Sequence, residues 1–559
     1  MDRTEAIKIT SIYWENIYLH LTLEGSVIAE RYFITDGKEE YYSIERTGNE
    51  IVVNIVNIPN IKLLGNGKWY FAYEKTGHMH LMEITVACGY SLRNLDRIYR
   101  YGAKKYAYII NFEAESYVDD QKKIDAQVAS SDVRITEKLT CTMQTSYMML
   151  NKREGHRNIL IESGSFSQLI RKMIIIFIKH IIQRIYLVLS YIRRHNGKRI
   201  LLMSETRVPI GGNLKALDDR LKERKLDQQF HISYSFSKTL QQSKVKTFFV
   251  WSRLLWLISG QDFIFVDDYV PIFKTIHLRK CTQLIQLWHA GVGFKSVGYS
   301  RFGKAGSPHP LDSCHRQYDY AVVGSKGLIP VYEEVFGIEK SKFLPYGLPR
   351  LDGYMDESRI HEYKQRFYGK YPQLINKRII LFAPTYRGNG QREAYYPLEM
   401  INQKQLYEVL GDTYVFAYKM HPFITEKVDI ISEYKDKIYD FSNEGDINSL
   451  FYVTDVLITD FSSNIYEFAL QRKPIIFYAY DKDFYQLTRG VHRTLEEAPG
   501  IVCETFEEVI HTLKEHRFQI DKLEKFIQES FVSDTDQLAS DRIIDKILLG
   551  KDKVNGNEK

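Results

Sequence analysis

Cysteine is scarce in this chain, and the few present form no chemical unit. Cys88, Cys141, Cys281, Cys314 and Cys503 are scattered, odd in number and never spaced as C-x-x-C. This disfavours a disulfide framework and a zinc knuckle, and it fits a reducing cytoplasm. Long apolar runs are missing too. No stretch reaches the roughly 18 uninterrupted residues expected of a membrane-spanning helix. The opening MDRTEAIKITSIYWE has no apolar core of signal-peptide length, which predicts no secretion. There is no G-x-x-x-x-G-K-[ST] loop and no clear D-x-D metal clamp. VDD at 266–268 is the nearest approach, and an Asp pair at a strand end is more often structural. The reading therefore includes no metal and no cofactor. Net charge is only +6, and residues 151–200 alone carry eleven Lys and Arg against two Glu. The remainder is slightly acidic. That argues against a broad nucleic-acid-binding surface and points to one local basic feature.

What is present is a long, ordinary globular composition. At 559 residues, 44% hydrophobic and 26% charged, the chain is too long for one core and divides into two to four domains. Residues 1–150 read as short strands rich in β-branched and aromatic residues, cut by turn signals such as TDGKE and LGNGK. They predict a β-sandwich-like accessory domain with no catalytic constellation. GHMH at 77–80 has no acidic or thiol partner nearby and reads as polar loop.

Residues 151–197 form the basic feature. On a helical wheel Arg171, Lys172, Lys179, His180, Arg184, Arg193 and Arg194 gather on one side, with Ile174, Phe177, Ile178, Ile181, Ile185 and Ile192 opposite. The pattern predicts an in-plane helix attracted to anionic lipid. A helix packed between domains with its charged face in water is the alternative. From 198 the texture alternates buried strands with helices, such as 213–225 and 239–258. It restarts near 375, which predicts an α/β pair of Rossmann-like domains, 198–370 and 371–559, facing one cleft.

Four motifs sit where such strands end, which is where open α/β sheets bind ligands. LWHAGVGFKSVG places His289, able to take a proton near neutral pH, before flexible glycines and the cation Lys295. FAPTYRGNG offers Thr385 and Arg387 to an anion. AYKMHPF carries Lys419 and His421 at alternating positions, on one strand face. LITDFSSNIYEF runs a strand into Asp460, then Ser462 and Ser463 at a helix start, then Glu467. Hydroxyls, N–H groups and the dipole end there suit a phosphate. Asp460 suits positioning the loop or bonding a hydroxyl, because like charges repel. Each motif alone has a plain structural reading: a capping histidine, a solvated arginine, a serine N-cap. Together they are equipment for moving a phosphoryl group from a nucleotide diphosphate to a hydroxyl.

At these residues the chain resembles the teichoic-acid polyol-phosphate transferases, the CDP-glycerol glycerophosphotransferase family. The likeness is collinear from about 198 to 505. It is carried by SETRVPIGGN, FIFVDDYVPIFKTIHLRKCTQLIQLWHAGVGFKSVGYSRFGK, PYGLPRLD, ILFAPTYRGNG, FAYKMHPF and LITDFSSNIYEFALQRKPIIFYAYD. Glycerol-type members usually set the first histidine in a W-H-G-T-P context. WHAGVGFKSVG here looks like the ribitol-type branch, as do the chain length and SIYWE near the start.

The resemblance implies a GT-B-like fold with an N-terminal β-rich domain and a membrane-surface helix, peripheral at the cytoplasmic face of the cell membrane. It implies a CDP-polyol donor, CDP-ribitol before CDP-glycerol, and a lipid-linked teichoic acid acceptor; it leaves room for a homo-oligomer. His289 would then be the base, and His421 would assist at the donor phosphates. Ser462 and Ser463 would hold the pyrophosphate near Thr385 and Arg387, and Glu467 would bond a ribose or polyol hydroxyl. A nucleotide-sugar glycosyltransferase and a non-enzymatic scaffold are the readings from other classes.

Overall fold

The computed structural model describes residues 6–25, 29–58, 63–101, 106–117, 138–150, 160–161, 166–193, 195–205, 208–237, 244–289, 296–302, 313–388, 394–483, 485, 491, 495–532 and 538–551. The chain forms two compact units. The first comprises Met1–Ile176, Val297–Ser313 and Glu334–Gly337; the second comprises Phe177–Ser296, Cys314–Glu333 and Ile338–Lys559.

In the first unit, thirteen strands among the described residues join in one sheet, where two facing sheets of a sandwich were expected. The reason is the length of the strand Lys138–Leu150. Along it, Tyr106–Tyr117, Gly67–Lys75 and Leu160–Ile161 each find antiparallel partners, so the hydrogen-bonded path never breaks. Alternating residues such as Ile51 and Val53 turn inward to one core with Leu19, Leu21, Phe71 and Tyr108. The GHMH histidines, His78 and His80, lie exposed on the strand His78–Leu81.

The second unit opens with helix α1 (Phe166–Ile192), which begins in the first. Its first sheet contains β1 (Arg199–Ser204), β2 (His231–Phe236), β3 (Phe263–Val266), β4 (Gln283–Gln286), β5 (Tyr320–Val322) and β6 (Phe343–Leu344). All pair in parallel, in the order β2-β1-β3-β4-β5-β6. Between β1 and β2, helix α2 (Gly212–Glu223) buries Leu214, Leu217 and Leu221, one helical stripe, against that sheet. Helix α3 (Lys244–Ile258) leads into β3, and helix α4 (Glu357–Lys370) follows β6.

The second sheet holds β7 (Arg378–Phe382), β8 (Tyr414–Tyr418), β9 (Ile438–Asp440), β10 (Thr454–Thr459), β11 (Ile475–Tyr478) and β12 (Ile501–Cys503). Its order, β9-β8-β7-β10-β11-β12, is the doubly wound Rossmann order, also fully parallel. Strands buried on both faces explain why these segments read as short continuous apolar runs. Helix α5 (Ile447–Leu450) precedes β10, and helix α6 (Ile465–Ala469) follows it.

The order of strand addition reverses between β1 and β3 in one sheet and between β7 and β10 in the other, which places the crevices that bind ligands. The C-terminal segment does not stay with the second sheet. Ile543, Ile544 and Ile547 enter the core beneath the first sheet, and Asp541 pairs with Arg220 and Arg224 of that half.

Candidate functional site

His289 stands three residues beyond β4, on a backbone bent to present it. Trp288 adopts the left-handed conformation, φ 57°, which costs a non-glycine residue about 1–2 kcal/mol. Hydrogen bonds hold the turn there. The Trp288 N–H donates to Gln286 Oε1 at 2.8 Å, and Asn213 Nδ2 donates to the carbonyls of Leu287 and Trp288 at 3.0 and 2.7 Å. The Trp288 indole is buried, with its centroid 4.6 Å from that of the exposed His289 ring. His289 Nδ1–H donates to the Asp267 carbonyl at 2.9 Å. That bond requires a proton on Nδ1, so in the neutral ring Nε2 carries the lone pair, the state a general base needs.

His421, beyond β8, is held the opposite way. Its Nδ1 accepts from the Phe423 N–H at 3.2 Å, and the ring lies between Tyr386 and Phe423, each 4.8 Å away. The proton of the neutral ring therefore sits on Nε2, which presents a donor. The two expected histidines thus carry complementary tautomers.

Ser462 and Ser463 lie half-buried in the turn after β10. The cap of α6 is Asn464 and the helix is only five residues long, so the hydroxyls and turn N–H groups count for more than a helix dipole. Asp460 is fully buried. Its Oδ1 accepts from the N–H groups of Thr385 and Phe461, both at 2.7 Å, which ties the β7 and β10 loops across the switch point.

Three expected substrate ligands are engaged by other groups of the protein itself. The Arg387 guanidinium is buried and donates to the Thr385 carbonyl, to Asp460 Oδ2 at 2.8 Å and to both oxygens of Asp481 at 2.6 and 2.8 Å. Burial opposes its charge, but Asp460 and Asp481 outweigh that and raise its pKa. Lys419 is buried, and its ammonium donates to the carbonyls of Ser442, Glu444 and Gly445, so its three protons are spent on that loop. Burial lowers its pKa. Glu467 is buried and paired with Arg350. Burial raises its carboxyl while Arg350 pulls it down. These are anchors of the loops, a role set by carboxylates and carbonyls that approach from distant segments. Lys295 lies outside the described residues.

Sequence reasoning passed over Arg350, although its motif PYGLPRLD was in view. Its N–H donates to Asn213 Oδ1 at 3.0 Å, its Nη1 to the His289 carbonyl at 3.1 Å, and its Nη2 to Glu467. One side chain therefore joins the His289 turn to the helix that follows the serine pair. VDD at 266–268 serves the same turn: Asp267 holds the His289 ring, and Asp268 accepts from the Ser204 hydroxyl at 2.7 Å. His315, 5.9 Å from the Trp288 ring, is pushed down to about 3 by burial and stays neutral. Among the described residues no group of His, Cys, Asp and Glu is arranged to hold a metal ion. A cavity of about 940 Å³ opens beside His289.

Two parallel sheets, each with a histidine just beyond a strand end, define an α/β architecture of two Rossmann-type halves. Residues 185–549 match the model of the CDP-glycerol:poly(glycerophosphate) glycerophosphotransferase family, and the chain belongs to that family. It is similar to the teichoic acid poly(ribitol-phosphate) polymerase of Bacillus spizizenii, 35% identical over 364 residues, 65% of this chain and 58% of that protein. The chain thus spans less than two thirds of that relative's length. It is also similar, at 28% identity over 562 residues, to the teichoic acid ribitol-phosphate polymerase TarL of Staphylococcus aureus, covering 94% of this chain and 96% of TarL. The solved wall teichoic acid polymerase TagF shares the fold, with a TM-score of 0.52 and 20% identity over 69% of this chain and 98% of TagF.

Proposed function

We propose that the protein is a GT-B-like polyol-phosphate polymerase that transfers ribitol phosphate from CDP-ribitol to the hydroxyl end of a lipid-linked teichoic acid chain, releasing CMP. The observation that carries this reading is the complementary pair of tautomers. His289 Nε2 takes the proton of the acceptor hydroxyl, whose oxygen forms a bond to the ribitol-side phosphorus. The bond from that phosphorus to the bridging oxygen breaks, and CMP leaves with the electron pair. His421 Nε2–H donates to a donor-phosphate oxygen as this charge develops. The hydroxyls of Ser462 and Ser463 hold the pyrophosphate, with Thr385 fixed beside them by Asp460. The relatives named for ribitol phosphate favour that donor. The family description favours CDP-glycerol as the second reading.

The test is direct. Purified protein with a lipid-linked primer is expected to release CMP from CDP-ribitol at least tenfold faster than from CDP-glycerol, with product mass growing by ribitol phosphate units. The reverse preference would make it a glycerophosphotransferase. Sugar transfer from a nucleotide sugar would place it in another class.

The enzyme works, in this reading, at the cytoplasmic face of the membrane, held by α1. One side of this helix packs inward: Tyr186 and Ser190 are buried, Ser190 meets Arg279, and Gln183 bonds the His277 backbone at both N–H and carbonyl, while His180 and Arg184 stay exposed. Phe177, Ile178, Ile181, Ile185, Val188 and Ile192 face out, with Tyr191 82% exposed. A water-facing helix has no reason to expose six large apolar side chains; a lipid-facing one does. Trp256 of α3 is 49% exposed under the Arg193 guanidinium, 4.8 Å from the ring centroid, which is an interfacial anchor pair. Among the described residues no helix is long and apolar enough to cross a membrane. Ile181→Gln, Ile185→Gln and Val188→Gln combined are expected to weaken binding to anionic vesicles at least tenfold. Unchanged cosedimentation would make α1 a strut.

A further inference from the structure

The cavity beside His289 has a wall chemistry that the transfer reaction does not by itself require. Resting on the reading above, we infer that it seats the growing acceptor chain and that α4 grips the chain's phosphates. His289 is on its wall, whereas His421, Ser462 and Ser463 are not. It therefore opens to the base and away from the loops assigned to the donor pyrophosphate.

Asp219, Glu223, Asp352, Asp356, Glu362 and Asp446 line it beside the cations, and the cations divide into two sets. Lys215, Arg220 and Arg350 are already paired, with Asp219, Asp541 and Glu467. Arg359 and Arg366 are exposed and belong to no ion pair among the described residues. They stand seven positions apart on α4, with Tyr363 and the carboxylate of Glu362 between them on the same face. The Arg366 guanidinium lies 5.9 Å from the Tyr363 ring centroid.

Seven residues of helix rise about 10 Å, close to the length of one extended five-carbon polyol phosphate repeat. Two forked cations at that spacing meet successive phosphodiesters, and the tyrosine between them covers the intervening carbons. Tyr354 and Tyr452 stiffen the wall next to α4, with the Tyr452 ring centroid 5.9 Å from that of Tyr363: the Tyr452 hydroxyl donates to the Tyr354 carbonyl at 2.7 Å, and the Tyr354 hydroxyl to that of Asn448 at 3.2 Å. A chain laid along α4 brings its terminal hydroxyl to His289. Leaving the chain seated after each transfer is what repeated addition to one end requires.

The test is an Arg359→Gln, Arg366→Gln double variant, assayed with CDP-ribitol against a lipid-linked primer bearing a short ribitol phosphate oligomer. KM for the primer is expected to rise at least tenfold, with KM for CDP-ribitol and kcat at saturating primer within twofold of the parent. Products should be shorter because chains leave sooner. Lysine at both positions should recover part of the primer affinity, because charge returns without the fork. A rise in KM for CDP-ribitol alone would assign the cavity to the nucleotide, and no change in either constant would empty it of substrate; both overturn the inference. If the parent protein releases no CMP from any CDP-polyol, the transfer reading fails. The cavity is then tested separately, by calorimetric binding of a free ribitol phosphate oligomer to the parent and double variant. Equal affinity, or no binding to the parent, would refute it.

Discussion

A His289→Ala enzyme is expected to turn over about a hundredfold more slowly or worse, because a positioned general base typically contributes at least that much. His421→Ala should lose a comparable amount, but the two positions should differ when glutamine is substituted. His289 acts through a lone pair on Nε2, fixed there by the bond from Nδ1–H to the Asp267 carbonyl. A glutamine amide offers no basic nitrogen, so His289→Gln should be as slow as His289→Ala. His421 acts through Nε2–H, fixed by the Phe423 N–H at Nδ1. A glutamine side chain can still donate N–H toward a phosphate oxygen, and CMP is a leaving group that needs its charge met more than it needs a proton. His421→Gln should therefore keep at least tenfold more activity than His421→Ala. Steady-state kcat for the four variants decides this. Equal defects for Gln and Ala at position 421 would make that histidine a proton donor proper, and parent-like rates at either position would remove it from the chemistry.

The strand ends were legible because parallel strands buried on both faces must be short apolar runs, and the first polar residue after such a run marks the sheet's C-terminal edge. That is enough to find His289, His421, Asp460 and the serine pair. It is not enough to tell which way a side chain at the edge points. Arg387 and a free phosphate-binding arginine look identical in sequence. The difference lies in Asp460 and Asp481, 73 and 94 residues away, whose approach depends on strand order. Lys419 is turned inward for the same reason, by carbonyls at 442–445. Arg350 stood inside a quoted motif, PYGLPRLD, without being singled out, since its partners come from three separate segments. For α1 the helical wheel separated two faces but could not say which one the protein covers. The face it covers is centred on Tyr186 and Ser190, where Gln183 and Tyr186 find backbone partners at 277 and 279, and it leaves His180 and Arg184 exposed beside the apolar residues. The single sheet of the first unit was hidden because hydrogen-bonded continuity depends on one long strand pairing several partners, which alternation cannot show.

Arg387 gives the second large effect, and it is one of stability. Its guanidinium is the only positive charge that the described ion pairs set beside Asp460, and four aromatic rings, of Tyr396, Phe461, Tyr480 and Tyr485, enclose it at 5.2–5.7 Å. Arg387→Met fills the volume but strands two carboxylates in low dielectric, which costs about 3–5 kcal/mol. The midpoint of the unfolding step that reports on the second sheet should fall by roughly 10 °C, in the absence of any donor. Activity should fall with it, because the N–H of Thr385 and the turn at Phe461 share the Asp460 carboxylate that Arg387 holds in place. Arg387→Lys should recover little, since an ammonium cannot reach Asp460 and both oxygens of Asp481 at once. The double change Arg387→Met with Asp460→Asn should be less destabilised than Arg387→Met alone, because one of the stranded charges is gone. A phosphate-binding arginine predicts the reverse pattern: unchanged melting without donor, and a raised KM for the CDP-polyol that lysine largely restores. Melting curves recorded without donor separate the two roles even if every variant is inactive.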